Sequence, residues 1–295
     1  MSFSSDVKKE LCSVEIEDRF CCQRAEAYGM LYFGRSFDKY EISLMTDYDF
    51  VAKRYEQAIY NLVQINPTVM QSKSGKYTVS VSDSNDRFDI LNELGYTGSE
   101  TSMKLLKSNI ENECCFGAFL RGAFLSCGVI TDPKKEYHLE FDVNFKSKGR
   151  YLSELFSDFT AIPKISDRNG MNMVYFKDSA QIEDILTVMG AQNSVMELIG
   201  EKIFKDVRNN VNRKVNCDRA NIKKTCLASE NQIAAIVKLR KNGKFETLSS
   251  DLKEIALLRL ENPEMTLSEL GENLSVPMSR SAVNRRLKKI LELSE

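Results

Sequence analysis

The sequence predicts an α+β protein, with a doubled α-β-β-α-β-β-α unit placed ahead of an all-helical C-terminal domain. Three observations carry this: a CCxxAxxxG pattern written twice in the first 200 residues, charge segregated along the chain, and a pair of capped amphipathic segments at the end. The 295 residues, 42% hydrophobic and 28% charged, supply enough apolar material for two ordinary domains and do not read as disordered. No run of 18 or more uncharged apolar residues occurs, and the opening MSFSSDVKKELC lacks the apolar core of a signal peptide. The expectation is a cytoplasmic protein with no membrane partner.

Cys21, Cys22, Ala25 and Gly29 recur as Cys114, Cys115, Ala118 and Gly122 at an offset of 93. Downstream, each copy has an alternating run from Tyr40 or Tyr137, then a helical stretch beginning Arg54-Tyr55 or Arg150-Tyr151, then Pro67 or Pro163. A second hairpin follows around Ser74-Gly75-Lys76 or Arg168-Asn169-Gly170, and DILxxxG closes each copy at Asp89 to Gly95 and Asp184 to Gly190. The repeats run from about 15 to 95 and 108 to 190. Glycine at equivalent points of the two first helices allows their backbones to approach closely, so Gly29 and Gly122 are expected where those helices cross.

A helical pattern starts at Ser194, with Val195, Leu198, Ile199, Ile203 and Val207 at spacings of three and four. The next stretch, RNNVNRKVNCDRANIKK, has little apolar periodicity. Its Arg208, Arg213, Lys214, Arg219, Lys223 and Lys224 suit phosphate contact or, equally, a solvated interdomain linker. A further helix is expected from Asn231 to Lys241, ended by Gly243. The expected domain limits are therefore 1–195, a basic helical linker over 196–224, and 225–295.

In the last domain a helix from Asp251 to Leu260 is closed by Asn262-Pro263. Thr266 to Glu269 spells a capping box, and Leu267, Leu270 and Leu274 give its helix an apolar face. A short turn, Ser275 to Met278, separates it from a second helix capped by Ser279 and buried through Val283, Leu287 and Ile290. Helix, turn and basic helix is the arrangement that sets one helix in the major groove of double-stranded DNA. Arg280, Ser281, Asn284 and Arg285 are placed for base or near-base contact, because Arg pairs bidentately with guanine and Asn with adenine, and Ser279 at the helix start is counted with them as DNA-binding. Arg286, Lys288 and Lys289 are placed for phosphate. The competing reading is a three-helix cap that binds protein. Charge favours DNA: residues 201–295 carry 19 Lys+Arg against 13 Asp+Glu, a net of +6, while residues 1–200 net −7.

The eight cysteines include two adjacent pairs and no CxxC, and the single histidine, His138, gives little material for a zinc site. Neighbouring cysteines point in different directions on a helix, so the two pairs are expected as small buried apolar residues, with neither metal nor cofactor. His138 is assigned no role.

The doubled unit, with LRGAFLSCG at Leu120 to Gly128 in its second first-helix, resembles the LAGLIDADG homing endonucleases. The whole chain resembles the WhiA family of bacterial sporulation and cell-division regulators, through SFSSDVKKELC, ECCFGAFLRGAFLSCG, NRKVNCDRANIKKT and LSELGENLSVPMSRSAVNRRLKKI. The endonucleases carry an acid as the penultimate residue of each LAGLIDADG helix, where the two acids hold divalent metal. The resemblance places Gly34 and Cys127 at those positions, and neither is a carboxylate. Asp38 and Asp132, just beyond them, read as turn residues. The resemblance implies a non-enzymatic, nucleoid-associated DNA-binding transcriptional regulator linked to cell division, chromosome segregation or sporulation. The family pattern reads SGVNHR in the last helix, and this chain has Ala282 and Arg285 in place of its glycine and histidine. Two other readings stand at this point: a metal-dependent endonuclease or nickase, and a scaffold binding a protein co-regulator through the N-terminal domain. Lys146, Lys148 and Arg150 offer that domain a basic face or simply a hydrophilic loop.

Overall fold

A computed structural model describes residues 2–15, 19–158, 162–168 and 171–295. They fall into two compact units, Met1–Phe204 and Lys205–Glu295. The first unit opens with α1 (Phe3–Ser13), capped by Ser2, whose hydroxyl accepts from the Ser5 amide at 3.2 Å. Then come α2 (Phe20–Tyr32), β1 (Ser36–Phe37), β2 (Ile42–Thr46), α3 (Asp49–Val63), β3 (Thr68–Gln71), β4 (Tyr77–Ser80) and α4 (Ser84–Glu93). The same series returns as α5 (Glu113–Cys127), β5 (Gly128–Ile130), β6 (Leu139–Val143), α6 (Lys146–Asp158), β7 (Lys164–Arg168), β8 (Met171–Phe176) and α7 (Ser179–Met189). Each copy makes a four-stranded sheet, ordered β1-β2-β4-β3 and β5-β6-β8-β7. All pairings are antiparallel. The repeated sequence pattern is a repeated fold. The turn expected at Asn169-Gly170 lies outside the described residues.

Burial follows the pleat and the helical period. Along β6, Leu139, Phe141 and Val143 are buried while Glu140 and Asp142 between them are half-buried. The outer helix α3 buries one stripe, Val51, Tyr55, Ile59 and Leu62. By contrast α2 and α5 are buried on nearly every side, as central helices must be. They pack against each other through their glycines. A Cβ on Gly29 would overlap the Phe119 carbonyl and come within 2.9 Å of the Ala123 nitrogen. A Cβ on Gly122 would do the same to the Glu26 carbonyl and the Met30 nitrogen, also 2.9 Å. The two contacts are related by the offset of the repeat, which places a local near-twofold axis between the helices.

One feature of this core breaks the symmetry. Glu26 of α2 is 3% exposed and sits between two arginines. Arg54 of α3 donates to its carboxylate at 2.6 and 3.1 Å, and Arg121 of α5 donates at 2.9 Å. Arg121 also reaches the Met189 carbonyl at 3.0 Å, which ties α5 to the end of α7. The repeat-equivalent of Glu26 is the apolar Phe119, so only one copy carries the acid.

The next helix, α8, spans Gln192–Lys241. Its first turn is held in the first unit by Glu10 of α1, whose carboxylate accepts from the Asn193 amide at 2.6 Å and the Ser194 amide at 3.0 Å. The separate helix expected from Asn231 is instead part of α8. The basic stretch before it needs no apolar face to be helical, since its Asn, Arg and Lys side chains are all accommodated in solvent. In the second unit α8 is followed by a 3-10 turn (Lys244–Thr247), α9 (Ser250–Glu261), α10 (Leu267–Glu272) and α11 (Arg280–Ser294). Their core joins Ile236 and Leu239 of α8 with Leu252, Ile255, Leu270, Leu274, Val283, Leu287 and Ile290.

Lys146, Lys148 and Arg150, read as a basic face or a hydrophilic loop, lie in the first turns of a helix, and of the three only Lys148 is withdrawn from the surface. Lys148 is buried and donates to the Tyr32 carbonyl, Lys146 pairs with Asp167 at 3.0 Å, and Arg150 pairs with Glu154 at 3.8 Å. All three sit in α6, where their different angular positions point them to different partners.

Candidate DNA interface

The helix pair α10 and α11 is built from local signals that the sequence spells out. Thr266 accepts from the Glu269 amide at 3.3 Å while the Glu269 carboxylate accepts from the Thr266 amide at 2.7 Å, a reciprocal capping box that starts α10. These bonds hold the Glu269 carboxyl below its usual range. The turn is fixed at Gly271, whose carbonyl accepts from the Met278 amide at 2.9 Å and whose Cβ position is filled by the Met278 carbonyl. Ser279 then caps α11 by accepting from the Ala282 amide at 3.4 Å. Below this pair, the buried Arg259 of α9 donates to the Met265 carbonyl at 2.6 Å and the Pro263 carbonyl at 3.3 Å, tying down the segment that enters α10.

Val283, Leu287 and Ile290 are fully buried, which orients α11. Arg280, Ser281, Asn284, Arg285 and Lys288 are all exposed, at spacings of three and four residues, and Lys289 is exposed as well. Three of the expected residues, Ser279, Ser281 and Arg286, are already engaged. Ser279 uses its hydroxyl in the cap and lies 3.0 Å from the Ser281 hydroxyl, and Arg286 is half-buried and bonded to Asp251 of α9 at 3.2 Å.

Arg208, Arg213, Lys214, Arg219, Lys223 and Lys224 are all exposed along α8. Of these, Lys224 is brought beside α11. It lines a cleft of about 420 Å³ together with Ser229, Thr266, Ser268, Arg280 and Asn284. Sequence reading did not place Thr266 and Ser268 at this surface. The capping box explains their local geometry but says nothing about which residues of α8 lie opposite.

In the first unit, the positions that the endonuclease pattern would give to metal-binding acids lie at the C-terminal ends of α2 and α5. Gly34 follows α2, and a Cβ there would come within 2.8 Å of the Ser43 carbonyl, so the backbone admits no side chain. Cys127 is the last residue of α5, and burial pushes its thiol up to about 12. The helix-end carbonyls are met by ammonium groups: Lys8 donates to Leu125 O at 3.2 Å and Lys148 donates to Tyr32 O. Burial lowers the pKa of both lysines, that of Lys148 to about 8. Asp38 accepts from the Tyr40 and Glu41 amides at 2.7 and 2.9 Å, and Asp132 accepts from the Lys134 amide at 2.8 Å, so both acids are turn residues. His138 bonds Glu140 at 2.8 Å beside the Tyr175 ring.

At the N-terminal ends of the same helices Cys22 and Cys115 are buried as expected, but Cys21 is half-buried, Cys114 is exposed, and the two pairs do not point apart. The Cys21, Cys22, Cys114 and Cys115 sulfurs all lie within 4.8 Å of one another. Side chains in a first helical turn lean toward the N-terminus, and there they have no preceding turn to separate them.

Comparison with known proteins agrees with this architecture. The family model described as the WhiA LAGLIDADG-like domain matches residues 116–208, and that of the WhiA C-terminal HTH domain matches residues 211–294. The chain is 33% identical to "Probable cell division protein WhiA" of Alkaliphilus metalliredigens, with 100% of this chain and 98% of that protein aligned. It is 37% identical to the protein of the same name from Ruminiclostridium cellulolyticum, over 100% of this chain and 97% of that one. Among solved structures, full-length DUF199/WhiA from T. maritima superposes with a TM-score of 0.62 at 24% identity, covering 100% of this chain and 98% of that one, which speaks to the fold. With a doubled LAGLIDADG-like unit, a helix-turn-helix at the C-terminal end and relatives matched along its whole length, the chain belongs to the WhiA family.

Proposed function

We propose that the chain is a sequence-specific regulator of transcription that binds double-stranded DNA in the major groove through α11, serves cell division, chromosome segregation or sporulation, and does not cut DNA. The observation that carries this reading is the division of α11 into a buried face of Val283, Leu287 and Ile290 and an exposed face of Arg280, Ser281, Asn284, Arg285 and Lys288. A helix braced on one side and polar and basic on the other can offer base-reading and phosphate-binding groups together. Lys288 and Lys289 take phosphate, joined by Lys224 across the cleft. The functional limits follow as a doubled domain over 1–195, a basic linker over 196–224, and a reader over 225–295.

Loss of cleavage is supported by the lysines at the ends of α2 and α5. A buried ammonium opposes a divalent cation by like-charge repulsion, and neither Gly34 nor Cys127 offers a carboxylate ligand. The test is selection of bound fragments from random DNA by the full chain and by Asn284→Ala/Arg285→Ala, with supercoiled plasmid and Mg²⁺ or Mn²⁺ as a second assay. The variant should lose the enriched motif and the plasmid should stay intact. Equal enrichment by the variant removes α11 as the reader, and nicking by the intact chain removes the claim of inactivity.

A further inference from the structure

Cys21 and Cys22 occupy the first turn of α2, and Cys114 and Cys115 the first turn of α5. The near-twofold relation that brings Gly29 against α5 and Gly122 against α2 brings these two turns together as well. Cys21 Sγ lies 4.0 Å from both Cys22 Sγ and Cys114 Sγ, and the Cys22 thiol approaches the Cys114 carbonyl at 3.6 Å. All four sulfurs fall within 4.8 Å of one another. Cys22 and Cys115 are buried, Cys21 is half-buried and Cys114 is exposed.

We propose that these four cysteines form a tetrathiolate site for a soft divalent cation of tetrahedral preference, Zn²⁺, which pins the two repeats together at the N-terminal ends of their central helices. The geometry is close to what the ion requires. Zinc–sulfur bonds of about 2.3 Å set the sulfurs of a tetrahedron about 3.8 Å apart. The 4.0 Å separations meet that spacing with a shift of a few tenths of an ångström, and the widest pair needs about 1 Å, within reach of a change in χ1.

The chemistry fits as well. Four thiolates select Zn²⁺ over hard cations such as Mg²⁺. Binding releases the four thiol protons to solvent and leaves a complex of charge −2, with no oxidant required. Two helix N-termini converge on that charge, and the positive ends of their dipoles favour thiolate. Arg19, just before α2, adds a positive group beside Cys114. All four ligands come from the protein and no position is left open, which makes the site structural and not catalytic. The symmetry explains why adjacent cysteines suffice: each helix supplies two ligands from one turn, and the axis supplies the second pair. A disulfide is the competing fate of the cluster. It needs the Cys21 and Cys114 sulfurs to close from 4.0 Å to about 2.05 Å, and it leaves Cys22 and Cys115 with no function.

The experiment uses the reduced full-length chain, stripped with chelator and titrated with Co²⁺ alone, then with Zn²⁺. The intact chain is expected to bind one Co²⁺, with sulfur-to-cobalt charge transfer and the intense d–d bands of a tetrahedral sulfur environment, and Zn²⁺ should bleach both. Reading the unsubstituted chain makes this independent of whether any variant folds. Cys22→Ser/Cys115→Ser should lose the spectrum and the bound metal, while Cys217→Ser/Cys226→Ser, altered at two exposed cysteines of α8, should keep both. Zn²⁺ should raise the melting temperature of the intact chain and leave that of Cys22→Ser/Cys115→Ser unmoved. The proposal is overturned by a reduced intact chain that shows no sulfur-to-cobalt absorption, by a spectrum that survives in Cys22→Ser/Cys115→Ser, or by one that vanishes in Cys217→Ser/Cys226→Ser.

Discussion

Lys148 of α6 places its ammonium on the carbonyl of Tyr32, at the end of α2, and is held there almost out of contact with solvent. The Tyr32 ring lies beneath the same ammonium, 4.8 Å from its centroid. A buried cation thus occupies a helix C-terminus, where the dipole favours positive charge.

This contact has a pH signature. Burial lowers the Lys148 pKa to about 8, against the opposing influence of Cys127 and Asp38. An unfolded lysine keeps its proton to about pH 10.4. Between those values the unfolded chain binds more protons than the folded one, so the contribution of this group to stability rises with pH; below about 8 its full cost is present. Denaturant midpoints of the intact chain and of Lys148→Met should therefore diverge in favour of the intact chain by about 2 kcal/mol between about pH 7.5 and 10. A difference that stays flat with pH is incompatible with a lowered lysine pKa.

The crossing of α2 and α5 should not tolerate a single methyl group. Gly29→Ala and Gly122→Ala each push a Cβ into the backbone of the other helix, at the Phe119 and Glu26 carbonyls. Overpacking of this kind typically costs 1–3 kcal/mol, and backbone neighbours that cannot rotate aside put both variants at roughly the upper end. Gly200→Ala, where nothing lies within 4 Å of the added carbon, is the control and should be neutral or slightly stabilising. Thermal unfolding of the three variants decides it.

Glu26 is the common acceptor of two buried guanidinium groups. Glu26→Gln should destabilise the first unit by about 3–5 kcal/mol, because it leaves Arg54 and Arg121 buried without a countercharge. Glu26→Gln combined with Arg54→Met should recover part of that loss. A combined variant no more stable than Glu26→Gln alone points to a packing role for the carboxylate and not an electrostatic one.

On DNA, the two kinds of residue on α11 should separate by their salt dependence. Lys288→Ala should weaken binding to all sequences alike and reduce the salt slope by about 1, whereas Asn284→Ala should cost about 1–3 kcal/mol and relax preference at one base pair. Arg286 offers a third behaviour, since it is bonded to Asp251 at 3.2 Å. Asp251→Asn should free it for phosphate, strengthening non-specific binding and steepening the salt slope. Fluorescence anisotropy over a salt series, on specific and scrambled duplexes, measures all three.

The sequence alone determined what is local in the chain. CCxxAxxxG written twice implied two like units, and both sheets share one strand order. Thr266, Glu269 and Ser279 marked where helices begin, because a cap is a bond between residues two or three apart. The period of Val283, Leu287 and Ile290 fixed which face of α11 is buried, and with it which residues are presented outward. Only the tertiary structure decided what depends on residues far apart in the chain. It converted Lys148 from a surface candidate into a buried donor to Tyr32, 116 positions away, and set Glu26 between Arg54 and Arg121. It also turned two cysteine pairs, each read as pointing apart, into one cluster at a near-twofold axis. Periodicity reports which side of an element faces inward, but the partner found there is set by how the elements pack.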